Sequence, residues 1–164
     1  MKSLNNEIYC DNLVKEFGFS LLFATDNQPN SKQVLLDAIK SDYRCFVNFE
    51  EQMKDNLDFV LECLKANPKI ILFCERWLQE NNSIELAAQV CPQIYLYLSD
   101  SSKQNIRIIL KCIELDASII LFVPQNIKTA SFLALAVERN GAVMNYINSG
   151  NSYWRCTNFD RIPF

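Results

Sequence analysis

The stretch VLECLKANPKIILF, residues 60–73, decides the fold, because ILKCIELDASIILF at residues 109–122 repeats it. A leucine, a cysteine and the run IILF occupy the same places in both copies. Weaker copies begin near residues 10, 35, 84 and 133, so the period is 24 to 25 residues. The chain therefore contains about six copies of one unit, and this period is typical of a helical repeat.

Each copy predicts two short helices joined by a tight turn. Apolar residues at Val60, Cys63 and Leu64 have the spacing of one stripe of an amphipathic helix. Asp or Asn follows in four of the six copies, as in Asn67-Pro68, and these residues favour the start of a second helix. We expect the run 71–73, Ile-Leu-Phe, and its counterparts to form the core side of that second helix.

The repeat predicts an all-α fold. A single helix pair cannot bury its apolar stripe, whereas stacked pairs can. We therefore expect a right-handed, solenoid-like stack of about six short helix pairs, forming one domain over residues 1–148. Residues 149–164 break the pattern, and we expect a C-terminal tail that is either docked on the last pair or flexible.

Composition argues against several classes of function. The net charge of the 164 residues is −3, so the chain has no overall basic field, and we expect no nucleic acid as partner. No apolar run reaches the roughly 20 residues that a membrane span needs. Histidine is absent, which removes the commonest general base and the commonest metal ligand. We expect no metal, no cofactor and no catalytic residues.

Seven cysteines without a CxxC pair argue against a disulfide scaffold and a zinc ribbon. The first residues lack an apolar segment, so we expect no cleavable signal peptide and a reducing compartment. Most cysteines fall at apolar positions of the repeat, where we expect small buried side chains: Cys10, Cys45, Cys63, Cys74 and Cys112. Cys91 replaces a capping residue and Cys156 lies in the tail, so we expect these two to be more accessible.

Five carboxylates cluster within two helical turns: Glu50, Glu51, Asp55, Asp58 and Glu62. Paired carboxylates can serve acid–base or metal chemistry. These residues also lie where one helix ends and the next begins, and acidic side chains are favourable at a helix N-terminus. Both interpretations stay open at this stage, and the second requires no ligand.

The unit resembles the repeat of an uncharacterised bacterial domain family. The stretches DNLDFVLECLKANPKIILF (residues 55–73) and SFLALAVERNGAVMNYI (residues 131–147) carry this resemblance. The family occurs in tandem copies in intracellular pathogens that have type IV secretion. The resemblance implies an α-helical scaffold in a translocated effector that binds other proteins, and it transfers no catalytic residues. It also implies localisation in the bacterial cytoplasm or, after translocation, in the host cytoplasm.

A row of charges gives a candidate binding surface. One position of the repeat reads Lys15, Lys40, Lys65, Gln89, Glu114 and Glu138. Arg44 and Lys69 follow across the turn and strengthen the basic end. Such a row could hold an acidic partner segment. Lysines near helix C-termini also complement the helix dipole, and this explanation stays open.

Trp77 is the other candidate. Its position in the repeat is polar or glycine in every other copy with a counterpart, which predicts an exposed tryptophan beside Arg76. Tryptophan and arginine are enriched among the residues that dominate binding energies. The alternative is a longer second helix in this copy, with Trp77 packed back onto Phe73.

The leading hypothesis is a non-enzymatic protein-binding module, either a translocated effector or a regulator of another effector. Its partner is another protein, of the bacterium or of a host. The proposed partner-binding residues are Lys15, Lys40, Arg44, Lys65, Lys69, Arg76 and Trp77. Two alternatives remain: a binder of anionic lipid or nucleic acid that uses the basic residues, and an enzyme with an unrecognised cysteine or carboxylate site.

Overall fold

The computed structural model describes residues 32–148, and every regular element in this range is a helix. The α-helices are α1 (Lys32–Ser41), α2 (Glu51–Lys54), α3 (Leu57–Ala66), α4 (Ile71–Glu80), α5 (Ile84–Val90), α6 (Ile106–Leu115), α7 (Ala130–Arg139) and α8 (Val143–Asn148). The 3-10 helices are η1 (Tyr43–Asn48), η2 (Pro68–Ile70), η3 (Pro92–Tyr97), η4 (Ser102–Gln104) and η5 (Ala117–Leu121). Within the described residues the fold is all-helical, as predicted.

The chain forms two compact units, Met1–Arg76 and Trp77–Phe164. Unit 1 is described from residue 32 onward and unit 2 as far as residue 148. The first predicted helix pair, which contains Lys15, and the predicted tail at 149–164 lie outside the described residues.

The stripe predicted for the first helix of each pair is buried. In unit 1 the buried residues of this stripe are Leu35, Ala38 and Ile39 on α1, and Val60, Cys63 and Leu64 on α3. In unit 2 they are Ile84, Ala87 and Ala88 on α5, Ile109, Cys112 and Ile113 on α6, and Leu133 and Ala136 on α7. This prediction is confirmed for the described copies, except that Val137 is only half-buried.

The predicted Asp and Asn caps are also present. Each lies in extended backbone after the first helix, and its side-chain oxygen accepts a hydrogen bond from the N–H two residues ahead. The residues are Asp42, Asn67, Asp116 and Asn140. They satisfy N–H groups that the next helix leaves free. Cys91 occupies the same position without a side-chain cap.

The prediction for the second helix of each pair is wrong in one respect. Ile71 is fully buried, but Leu72 is 53% exposed and Phe73 is 44% exposed. The core side of α4 carries Cys74 and Leu78 instead. An α-helix advances about 100° per residue, so residues two places apart lie on opposite sides, and a run of three apolar residues cannot all face the core. The corresponding Val47, Leu121 and Phe122 are exposed as well.

The second helix of the copy at residues 60–73 is longer than its counterparts. It continues as α4 to Glu80 and ends where Asn82 adopts a left-handed backbone, with φ 54°. The N–H of Ser83 then bonds the carbonyl of Leu78 at 2.7 Å, which closes the helix end in the manner of a Schellman motif. None of the helices in residues 32–148 is long and apolar enough to cross a bilayer.

Candidate functional site

The most distinctive surface of unit 1 is built around an aromatic stack on η1, η2 and the start of α4. The rings of Tyr43 and Phe73 stack with their centroids 5.8 Å apart. The ring of Phe46 also stacks on Phe73, with a centroid distance of 6.5 Å. Phe46 is buried, whereas Tyr43 and Phe73 are partly exposed. The stack therefore runs from the core of unit 1 to its surface, and its outer rings are held in fixed orientation.

This stack has a hydrophobic foundation. Phe49 lies 5.9 Å from Phe46 edge-on, and Phe59 lies 6.0 Å from Phe49. Both of these phenylalanines are buried. Aromatic pairs at these distances are stabilising beyond the area they bury. Phe73 is therefore attached to a continuous aromatic cluster, so a ligand that contacts it meets a preorganised surface.

Two basic residues lie next to Tyr43, Lys69 in space and Arg44 in sequence. Lys69 Nζ lies 5.5 Å above the centre of the Tyr43 ring, within the range of a cation–π interaction. Arg44 is exposed, and Asp42 binds its guanidinium through Nε at 2.9 Å and Nη2 at 2.6 Å. The hydrogen bond from Arg44 lowers the pKa of Asp42, because it stabilises the ionised carboxylate.

Two further lysines belong to the same unit. Lys40 is the second-last residue of α1 and Lys65 is the second-last residue of α3, and these two helices pack together. Both side chains are exposed, and Lys40 pairs with Asp37 at 2.8 Å. We define the basic aromatic face as Lys40, Tyr43, Arg44, Lys65, Lys69, Leu72 and Phe73. Four of the seven residues predicted to bind a partner belong to it.

Three predicted binding residues are not part of this definition: Arg76, Trp77 and Lys15. Arg76 is exposed on α4 at the end of unit 1. Trp77, the first residue of unit 2, is half-buried, and its carbonyl accepts hydrogen bonds from Asn81. Lys15 falls among the residues that are not described. The sequence analysis did not identify Leu72, Phe73 and Tyr43 as surface residues. Asn145 and Asn48 occupy the positions of the repeat that correspond to Leu72 and Phe73, and these polar residues indicated that both positions face solvent.

The cysteines of the described residues are free thiols, and all five are buried. Burial raises the pKa of Cys63, Cys74 and Cys112 to about 12, and it also raises the pKa of Cys91. A protonated thiol is a poor nucleophile, so these side chains act as small apolar groups at neutral pH. The expectation that Cys91 is accessible is wrong, because it is only 4% exposed.

The carboxylate cluster forms ion pairs on the helix surface. Glu62 lies 2.6 Å from Lys32, and Glu51 lies 2.8 Å from Lys54. Across residues 32–148, no three side chains of the ligating types come close enough together to hold a metal ion. These carboxylates therefore behave as solvated helix-surface residues.

Unit 2 contains a shallow cleft of about 180 Å³, which is lined by residues of α5, α6 and α7. Its lining is Glu85, Arg107, Leu110, Lys111, Glu114 and Arg139. Arg107 lies 3.9 Å from Glu85, and Lys111 lies 3.5 Å from Glu114. Four of the five charged side chains that line the cleft therefore belong to these two ion pairs.

A domain of unknown function (DUF4116) matches residues 31–79 of the chain. This range includes every residue of the basic aromatic face. The match agrees with the resemblance to an uncharacterised family, and it assigns no activity. No curated protein and no solved structure matches the chain.

Proposed function

We propose that this chain is a non-enzymatic protein-binding module and that the basic aromatic face of unit 1 is its binding surface. The observation that carries this proposal is the exposed Tyr43–Phe73 stack, which Lys69 covers on one side. Exposed aromatic side chains with fixed orientation are enriched at protein interfaces, because they bury a large area at a low cost in conformational entropy.

The chemistry of the face indicates what it binds. Leu72 and Phe73 offer apolar area, and Lys40, Arg44, Lys65 and Lys69 supply positive charge around it. A positively charged rim accelerates encounter with an acidic partner and fixes its orientation. The partner segment that fits is a protein surface with exposed leucine or aromatic side chains next to aspartate or glutamate.

The cysteines and the composition support a binding role over an enzymatic one. The sequence contains no histidine, and the described cysteines are buried with raised pKa values. Glu62 and Glu51 of the carboxylate cluster lie on the helix surface, where they pair with Lys32 and Lys54. None of these groups has the partly exposed, activated environment that nucleophilic or acid–base catalysis needs.

We further propose that the helix pair is a structural repeat and that neighbouring pairs stack in a solenoid-like manner. The repeated burial pattern of the first helices supports this, as do the hydrogen bonds from Asn67 and Asn140 to the preceding first helix. The right-handed sense of the stack stays a prediction.

The biological role that we propose follows from the family resemblance. A translocated effector of a bacterium with type IV secretion, or a regulator of such an effector, would act in the bacterial cytoplasm or in the host cytoplasm. A translocation reporter fused to the chain tests this role. A signal in host cells that depends on the secretion system is expected, and its absence would leave a role within the bacterium.

The binding face is tested by affinity capture with the purified chain, read by mass spectrometry, from bacterial and host-cell lysates. We expect a captured protein that Lys40→Glu/Lys65→Glu and Leu72→Ser each lose. The matched control is Arg107→Glu/Lys111→Glu, which makes the same change in charge on unit 2. A protein captured equally well by all variants contradicts the assignment of the face.

The same face favours one alternative class of ligand, because four basic residues also attract anionic lipid and RNA. Phosphatidylserine vesicles and RNA are therefore included as separate arms of the experiment. Binding that depends on Lys40 and Lys65, decreases steeply with salt and ignores Leu72→Ser would support this alternative. Loss of binding on Leu72→Ser favours a protein partner.

A further inference from the structure

Two lysines of the basic aromatic face occupy the same position of the repeat but have different surroundings. Lys40 lies in the last turn of α1 and Lys65 in the last turn of α3. The side chain of Asn67 donates a hydrogen bond of 3.2 Å to the carbonyl of Ile39, so the two helix ends lie side by side. Both lysines are exposed. Their positions are therefore equivalent, and only the acids around them differ.

Lys40 is held by an acid of its own helix, whereas Lys65 is not. Lys40 Nζ lies 2.8 Å from Oδ1 of Asp37. The equivalent acid in the next copy of the repeat is Glu62, which pairs instead with Lys32 of α1 at 2.6 Å. Across residues 32–148, no acidic side chain lies within ion-pair distance of Lys65. The charge of Lys65 is therefore open to a partner.

The second cation of each copy shows a related difference. The carboxylate of Asp42 binds the guanidinium of Arg44 at 2.6 to 3.0 Å. The equivalent residues of the next copy are Asn67 and Lys69. Asn67 accepts the N–H of Lys69 at 3.2 Å, but its amide carries no charge. The ion pair between Asp42 and Arg44 therefore has no equivalent at these two residues.

We propose that Lys65 is the specificity-determining cation of the basic aromatic face and that it binds an aspartate or glutamate side chain of the protein partner. Lys40 and Arg44 stay paired with acids of their own chain. A partner carboxylate at Lys65 displaces only water, whereas one at Lys40 must also displace the carboxylate of Asp37. This inference rests on the proposed function, because it assigns the partner's acidic group to one residue of the same face.

Single charge removals test the proposal with the full chain. The probe is poly(glutamate, tyrosine), a labelled copolymer that places acids beside aromatic rings, and fluorescence anisotropy measures its binding. Lys65→Gln should weaken binding about threefold to fivefold, whereas Lys40→Gln and Arg44→Gln should each weaken it less than about 1.5-fold. The three side chains are exposed, and circular dichroism checks that each variant folds. Lys65→Arg keeps the charge and should bind like the parent.

Release of Lys40 from its acid gives a second test. Asp37→Asn removes the carboxylate that holds Lys40, so this lysine becomes available to the probe. In the Asp37→Asn background, Lys40→Gln should weaken binding about threefold, although the same change has little effect in the parent. Such a coupled effect is expected of two residues that interact directly.

Several outcomes would overturn the inference. They are equal losses on Lys40→Gln and Lys65→Gln, no loss on Lys65→Gln, and a parent protein that does not bind the copolymer. In each case, a captured protein that both Lys40→Glu/Lys65→Glu and Leu72→Ser lose would leave the proposed function intact. Capture that ignores both of these variants would refute the proposed binding face itself.

Discussion

The side-chain amide of Asn67 donates a hydrogen bond of 3.2 Å to the backbone carbonyl of Ile39, near the end of α1. Its Oδ1 also accepts from the N–H of Lys69 at 3.2 Å, so one side chain caps η2 and satisfies a carbonyl of the preceding first helix. Asn140 makes the same pair of contacts in unit 2, donating to the carbonyl of Ile113 at 2.9 Å. An ionised aspartate could make only the cap, because it has no donor.

Asn67→Asp should therefore destabilise the protein although it retains the cap. It removes the donor and places a carboxylate beside the Ile39 carbonyl, for which we expect a loss of about 1–2 kcal/mol in the free energy of unfolding. Urea unfolding measures this loss. Asp116→Asn is the control, since it keeps an acceptor and removes no donor, and it should change stability little. If Asn67→Asp and the parent unfold at the same urea concentration, the hydrogen bond to Ile39 makes no measurable contribution to the free energy of unfolding.

Adjacent residues in the run IILF should respond very differently to truncation. Ile71 is fully buried, so Ile71→Ala should lower the free energy of unfolding by about 2–5 kcal/mol. Leu72 is half-exposed, so Leu72→Ala should cost less than about 1 kcal/mol and should instead weaken binding at the basic aromatic face. Parallel urea unfolding of the two variants makes the comparison. Equal losses would mean that Leu72 packs in the core.

This pair also marks the limit of prediction from sequence. The stripe through Val60, Cys63 and Leu64 was predictable because Glu62 and Lys65 interrupt the apolar residues and the same spacing recurs in each copy of the repeat. The caps were predictable because Asp and Asn act locally on the next few N–H groups. In residues 70–73 four apolar residues are continuous, so the pattern has no period and cannot identify the buried side.

The candidate site was predictable only in part, for the same physical reason. The exposed cations Lys40 and Lys65 follow from their position in the last turn of a helix. The stack of Tyr43 on Phe73 depends on packing between residues thirty positions apart, which no local pattern reports. Cys91 was expected to be accessible because it replaces a polar cap, yet its thiol is buried.

The buried thiols should make the protein sensitive to alkali. Burial raises the pKa of Cys63, Cys74 and Cys112 from 9.0 to about 12, so the unfolded chain releases these protons at lower pH than the folded protein. Their contribution to stability is complete below pH 9 and is lost as the pH rises from 9 through about 12. Urea unfolding at a series of pH values should show this decrease.

Cys112→Ala separates the thiol from other alkaline effects. Alanine occupies the same position of the repeat at Ala87 and Ala136, so the variant should fold and lose about 1 kcal/mol at neutral pH through the smaller side chain. The difference from the parent should narrow as the pH rises above 9, because the variant has no proton to lose there. A difference that stays constant up to pH 11 would contradict the proposed burial of the thiol.

Asp42→Asn should strengthen binding by the basic aromatic face. Asp42 holds the guanidinium of Arg44 through two nitrogen atoms, so an acidic partner must compete with a charge only two residues away. Asparagine can still accept the N–H of Arg44, but it cancels one negative charge and weakens the hold on the guanidinium. We expect the affinity for the captured protein partner to increase about threefold to tenfold at low salt, and the gain to shrink at high salt. Titration of that partner gives the binding constants, and Asp58→Asn, which removes an exposed carboxylate of α3 outside the face, is the matched control. Weaker binding by Asp42→Asn, or an equal gain in the control, would mean that the Asp42–Arg44 pair does not limit binding.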